Sequence, residues 1–343
     1  MPAADITLCP LADGGEGTVA ALLAAAGGQM FERTVTGPLP DGLVDAGFGL
    51  LRDGQIAVIE MASASGLDLL ASAQRNPLHT TTFGTGQLIR AAADAGAKRI
   101  ILGIGGSATV DAGIGALQAL GMTFVMADGS RRTRKDRPLT GGDLPNILAI
   151  QQPADWQLPQ ILIACDVQNP LCGKTGAAFV YGPQKGATPE QVEWLDHALG
   201  LFAQRTHAGQ VADLPGAGAA GGLGFGLCSL IPNTRLAGGF DLVADAAGLG
   251  EKLRSTDLCI TGEGRFDSSS LNGKTAVGVA GACRRAGVRC VILAGSVEES
   301  AADTLGDTAI FCIADGPMTL EAAMARTAGL LERTARQVVR LIH

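Results

Sequence analysis

Five glycine- or carboxylate-bearing turns, each placed directly after a short apolar run, constrain this chain more than any other feature. They are Asp13-Gly14-Gly15-Glu16-Gly17-Thr18, Gly103-Ile104-Gly105-Gly106-Ser107-Ala108-Thr109, Cys165-Asp166-Val167-Gln168-Asn169-Pro170, Gly182-Pro183-Gln184-Lys185-Gly186-Ala187 and Thr261-Gly262-Glu263-Gly264-Arg265-Phe266-Asp267. Open α/β sheets bind ligands where strands end and turn towards helices. A chain with five such turns is therefore predicted to build a cleft from strand-end loops.

The apolar runs supply the rest of the pattern. Residues 6–10 read as a strand and 19–26 as an alanine- and leucine-rich helix closed by Gly27-Gly28. Residues 31–36, 44–51 and 56–61 read as an antiparallel meander, separated by the turns Pro40-Asp41-Gly42 and Arg52-Asp53-Gly54. Next come strand 99–103, helix 111–120 and strand 123–127, then buried strands 160–164 and 177–181. Helix 190–207 carries Val192, Leu195, Leu199 and Phe202 at helical spacing. In the last third, strands 258–261, 291–294 and 310–313 alternate with helix 275–286 and a final helix from Thr319. That alternation predicts a parallel, doubly wound sheet. At 343 residues the chain is long for one core. The expectation is an α/β protein with a Rossmann- or flavodoxin-like parallel-sheet domain, 1–34 plus 240–343. A mixed-sheet α/β domain, 35–239, is inserted into it.

Charge and cysteine usage narrow the function. A net charge of −7 argues against nucleic acid or an anionic membrane surface as partner. The basic run Arg131-Arg132-Thr133-Arg134-Lys135-Asp136-Arg137 lies between turn residues and reads as a solvated loop. The eight cysteines are dispersed without a Cys-x-x-Cys pair, the usage of reduced small hydrophobes rather than of a disulfide frame or zinc site. No apolar stretch is long enough to span a bilayer and no secretory signal opens the chain, so a cytoplasmic protein is expected.

Each turn has a chemistry of its own. Asp13 and Glu16, set among Gly14, Gly15 and Gly17, place carboxylates and backbone amides at a helix start, suited to an anion or to Mg²⁺. Gly105, Gly106, Ser107 and Thr109 form a phosphate-cradling turn. Taken alone, Gly103–Ala108 also satisfies the dinucleotide fingerprint Gly-x-Gly-x-x-Ala, with Asp128 about twenty residues on. An NAD-dependent dehydrogenase of a small hydroxy acid is thus the rival expectation. Asp166 and Asn169 follow a strand, where they act as base or ligand, or merely cap an Asn-Pro turn. Lys185 offers a cation to a phosphate, or to solvent. Glu263, Arg265, Asp267 and Lys274 form a charged group; Gly273-Lys274-Thr275 is not a P-loop, since Ser268 stands where that motif needs glycine. The glycine run 216–224 is either a close-approach loop or a hinge.

In order and wording these segments resemble the bacterial glycerate kinase family. The similar stretches are 10–18, 35–39, 59–67, 75–89, 103–115, 164–172, 181–187, 215–224 and 260–274, nearly the whole chain. The resemblance implies two dissimilar α/β domains, one inserted in the other, and phosphorylation of D-glycerate by ATP to 2-phospho-D-glycerate. The setting it implies is aldarate, organic-acid or glyoxylate catabolism. Asp13, Asp166 and Lys185 would then be catalytic, with Asp166 or Asp13 as base. Gly14, Gly15, Glu16, Gly105, Gly106, Ser107, Thr109, Asn169, Arg265 and Lys274 would contact substrate or nucleotide. Glu263 and Asp267 would hold Mg²⁺. The resemblance also implies a monomer or homodimer. An inactive ligand-binding relative is the non-enzyme alternative. Members of the family carry a further strand and helix before the position of Met1, with a phrase like Ala-Pro-Asp-Ser-Phe-Lys, so an upstream start is expected.

Overall fold

The computed structural model describes residues 4–154, 156–268, 270–271 and 275–342. Its contacts divide the chain into two compact units, 10–243 and 1–9 with 244–343. The larger unit is thus inserted in the chain of the smaller one. The boundary expected at 34/35 falls inside a strand, and helix Thr18–Ala26 packs on the neighbouring strands of the larger unit.

The larger unit holds β1 (Gly28–Thr36), β2 (Leu43–Leu51), β3 (Ile56–Glu60), β4 (Arg99–Gly103), β5 (Thr123–Met126), β6 (Arg131–Arg132), β7 (Ile147–Gln151), β8 (Gln160–Ala164) and β9 (Thr234–Ala237). Six of them make one mixed sheet in the order β1-β2-β3-β4-β8-β9. The meander β1-β2-β3 is antiparallel and β3-β4-β8-β9 is parallel. The turns explain the first part: Gly54 N–H closes on Leu51 O at 2.8 Å while Asp53 Oδ1 accepts Gln55 N at 2.8 Å. Burial explains the second, because Ile100, Ile101, Leu102, Ile161, Leu162 and Ile163 are covered on both faces, as parallel strands require. Strands β6-β5-β7 form a separate antiparallel sheet.

The smaller unit holds β10 (Leu258–Phe266), β11 (Arg289–Val297) and β12 (Ala309–Cys312), paired in parallel in that order. Helix Thr275–Ala286 packs on β10 and β11, and helix Leu320–Ile342 packs on β11. This is the parallel βαβ arrangement that the alternation predicts.

Five expectations change. The turn expected at 261–267 is largely strand, because β10 runs on to Phe266 in parallel pairing with β11. Among the described residues, 6–10 have no strand pairing. Residues Ala177–Tyr181 are a helix, not a strand; a five-residue apolar run has no readable period, and packing on helices Pro189–Arg205 and Ala219–Leu230 decides it. Helix 111–120 shortens to Ile114–Ala119 because Ala112 and Gly113 sit at φ 50 and 73, outside the helical region. The run 216–224 is no hinge: Gly216 to Gly224 are buried, and Gly221 O accepts Ala112 N at 3.0 Å.

Candidate active site

The parallel strands of the larger unit all end on one edge, and the sequence-predicted turns of that unit gather there. Loop 13–17 is wedged against the ends of β4 and β8. A Cβ on Gly103 would meet Gly14 O at 2.4 Å, and one on Gly14 would meet Ala164 Cβ at 2.6 Å. Backbone passing this close to backbone leaves no room for a side chain. The wedge leaves Asp13 and Glu16 exposed beside the exposed Gly105 and Gly106, where an added Cβ on Gly106 would lie 3.6 Å from Glu16 Oε1.

Asp166 follows β8 and is half-buried. Its Oδ1 accepts Gly239 N at 2.7 Å, from the first residue of helix Gly239–Ala246, which follows β9. Burial pushes its carboxyl up; the Gly239 N–H opposes this, and the negative charges of Asp13 and Asp241 add to the rise. Asp13, Asp166 and Asp241 therefore form a knot of like charge at the ends of β8 and β9, whose repulsion a proton on Asp166 relieves. Sequence reasoning missed Asp241 and Gly239. Their signal was the Gly238-Gly239 pair after a short apolar run.

Glu60, at the end of β3, was missed too. Its Oε1 accepts Val19 N at 2.7 Å, giving helix Thr18–Ala26 the acceptor that Gly17 lacks at its start. Glu60 also lines a cleft of about 310 Å³ with Glu16, Ala62, Ser63, Gly66, Asp68 and Leu69. Three carboxylates in that wall suit a ligand carrying a cation better than a bare anion.

Lys185 is neither solvated nor open to the cleft. Its Nζ donates to Ser107 Oγ and Thr109 O, both at 2.8 Å, and lies 5.9 Å from the centre of the Tyr181 ring. Burial pushes its ammonium down to about 7, with Asp111 pulling it back up. Between about 7 and 10.5 the unfolded chain holds a proton that the folded one has lost, so stability rises with pH across that window. The stability of the native protein relative to Lys185→Met is expected to grow from pH 7 to pH 9.5 in urea unfolding. A pH-independent difference would sink this assignment.

Other site residues take structural duties. Asn169 donates to Thr175 O at 2.8 Å and accepts the Tyr181 hydroxyl at 2.6 Å, so both ends of its amide are engaged within the protein. Asp111, fully buried, accepts Thr82 N, Thr82 Oγ1, Gly113 N and Gly115 N and anchors the loop after β4.

In the smaller unit, Glu263 and Arg265 lie on β10 and Asp267 follows it. Arg265 pairs with Asp267 at 3.0 Å. Glu263 Oε1 is buried without a hydrogen-bond partner. Gly273 and Lys274 lie outside the described residues.

The dinucleotide reading fails on topology. After Gly103 the chain runs through a loop, exposed at Gly105 and Gly106 and buried from Ser107 to Gly113, and its next helix begins only at Ile114, so the glycine turn does not itself run into a helix as the fingerprint requires. Asp128 follows β5, in the separate antiparallel sheet, and closes a turn on Ser130 N at 2.8 Å. A ribose-binding acid would instead follow a strand paired with the glycine-turn strand.

Among the described residues, no helix is long and apolar enough to cross a membrane. Comparison with known proteins extends these findings. The sequence profile of the glycerate kinase family matches residues 1–343. The chain is similar to glycerate kinase of Haemophilus influenzae, with 48% identity over 87% of this chain and 79% of that protein. It is also similar to glycerate kinase of Bacillus subtilis, with 44% identity over 98% of this chain and 89% of the relative. Glycerate 2-kinase of Escherichia coli is 40% identical over the same shares. The crystal structure of a putative glycerate kinase 2 from Salmonella typhimurium superposes with a TM-score of 0.83 at 42% identity, over 99% of this chain and 90% of that one. The profile match over every residue, together with an α/β fold shared with a solved relative, makes the chain a kinase that belongs to the glycerate kinase family.

Proposed function

We propose that this kinase transfers the terminal phosphoryl group of ATP to the 2-hydroxyl of D-glycerate, as a cytoplasmic enzyme of organic-acid catabolism. The observation that carries the reading is the knot of Asp13, Asp166 and Asp241 beside the exposed Gly105-Gly106 backbone, in a member of this family. Phosphoryl transfer asks for positioning, charge neutralisation and an acceptor for the hydroxyl proton. Asp166 is the proposed base, because burial and its like-charged neighbours raise its proton affinity above that of an ordinary carboxylate. Asp13, exposed beside it, orients the hydroxyl. The Gly105 and Gly106 backbone, with Ser107, cradles phosphate oxygens. Lys185 acts on that cradle as a positioning residue, through its bonds to Ser107 Oγ and Thr109 O.

Mg²⁺ fits the donor set of the smaller unit, where a buried Glu263 oxygen has no partner. Glu263 would hold the ion. The ion would neutralise phosphate charge. The proposal is tested by coupled ADP release with D-glycerate, with the product identified by NMR. Activity is expected to vanish on metal chelation and to return with Mg²⁺. Phosphate on the 3-hydroxyl would overturn the regiochemistry. Tight binding of ATP and glycerate without turnover would favour the inactive relative instead.

A further inference from the structure

Three cysteines that the sequence scatters meet in the smaller unit. Cys259 is the second residue of β10 and Cys290 the second of β11, and the two are register partners across the parallel pair. Their side chains therefore leave the sheet on the same face. Cys283 comes from the last turn of helix Thr275–Ala286, which packs on both strands, and it is fully buried. All three sulfurs lie within 4.8 Å of one another. None is in a disulfide.

Geometry selects the ligand. Three sulfurs bonded at about 2.3 Å around one ion stand about 4 Å apart, inside the 4.8 Å limit within which these three lie. Among the described residues this group has three donors, all sulfur. Structural zinc closes four ligands, whereas soft thiolates favour Cu(I). The location also matters: Cys259 and Cys290 begin their strands, while Glu263, Arg265 and Asp267 lie towards or beyond the other end of β10. The trio is thus separate from the charged group of the same sheet.

We propose that Cys259, Cys283 and Cys290 form a trigonal thiolate site for a soft monovalent cation, Cu(I). Binding exchanges the thiol protons for the metal and releases them to solvent. The bound ion ties β10, β11 and helix Thr275–Ala286 together at one end of the sheet. The site is independent of the phosphotransfer proposal.

The test is anaerobic competition between the full-length reduced protein and a chromogenic Cu(I) chelator. The native protein and Cys312→Ser, whose thiol is exposed on β12, are each expected to withhold one equivalent of Cu(I). Cys259→Ser and Cys290→Ser are expected to bind roughly 100-fold more weakly or worse, since even an outer-shell loss costs 10–100-fold. X-ray absorption of the loaded protein should show three sulfurs at about 2.3 Å. The two serine variants place the change at half-buried positions, so a folded protein is retained for the comparison; circular dichroism checks this. The proposal is overturned if the native protein surrenders all its copper, or if folded Cys259→Ser and Cys290→Ser both withhold as much as the native chain.

Discussion

Asp166→Asn is expected to lower turnover by about 10²–10⁴-fold with little change in KM for glycerate, the signature of a lost proton acceptor. The fold should not suffer. An asparagine oxygen still accepts Gly239 N, and the substitution removes one charge from the knot with Asp13 and Asp241. The sign follows from linkage. A carboxyl whose folded value lies above its unfolded value binds a proton more readily in the native state, so native stability falls as pH rises through that interval. Asparagine does not titrate, so the variant should match or exceed the native melting temperature at pH 7. Steady-state kinetics and a thermal scan on the same preparation decide it. Loss of activity with parallel loss of stability would make Asp166 a structural residue. Unchanged turnover would remove it from the chemistry, and Asp13 would become the base to test.

Asp111→Ala should show the opposite pattern. Asp111 is the acceptor for Thr82 N, Thr82 Oγ1, Gly113 N and Gly115 N, all in a buried region. Removing it strands donors that cost about 1–3 kcal/mol each, so a destabilisation of about 4 kcal/mol or more is expected. That is a large share of the roughly 5–15 kcal/mol that holds a protein folded. Soluble yield should drop, and urea unfolding of whatever folds should show an early midpoint. A midpoint close to native would mean that the loop after β4 does not depend on this anchor.

The two aspartates look alike in the sequence. Each follows a strand that ends on the same edge of the sheet, Asp166 directly after β8 and Asp111 in the glycine-rich loop after β4. The difference lies in their partners: Asp111 meets backbone N–H groups from two segments, while Asp166 meets one N–H and two carboxylates. No local pattern encodes that. Lys185 makes the same point, since a Gly-Pro-Gln-Lys-Gly turn looks solvent-facing until Ser107 and Thr109 are folded over it. Asp241 and Glu60 escaped notice because their roles depend on strand order, which brings the ends of β3, β8 and β9 to the same edge.

What could be read from the chain alone was whatever depends on neighbours in sequence. The meander β1-β2-β3 follows from its turn residues, β4 and β8 from uninterrupted apolar runs, and helix Thr275–Ala286 from its spacing. Four of the five loops were legible because glycine clusters after strands have few other uses; the fifth, at 261–267, proved to be largely strand β10. Folding in three dimensions decided which of their side chains face the cleft, that Ala177–Tyr181 is helical, and that three separate cysteines share one pocket of space. The physical reason is that burial, charge coupling and metal-ligand geometry are properties of groups brought together from distant positions. The glycine turns set where the backbone can pass closely. Which carboxylate is left unpaired at the edge of the sheet is settled by what packs against it.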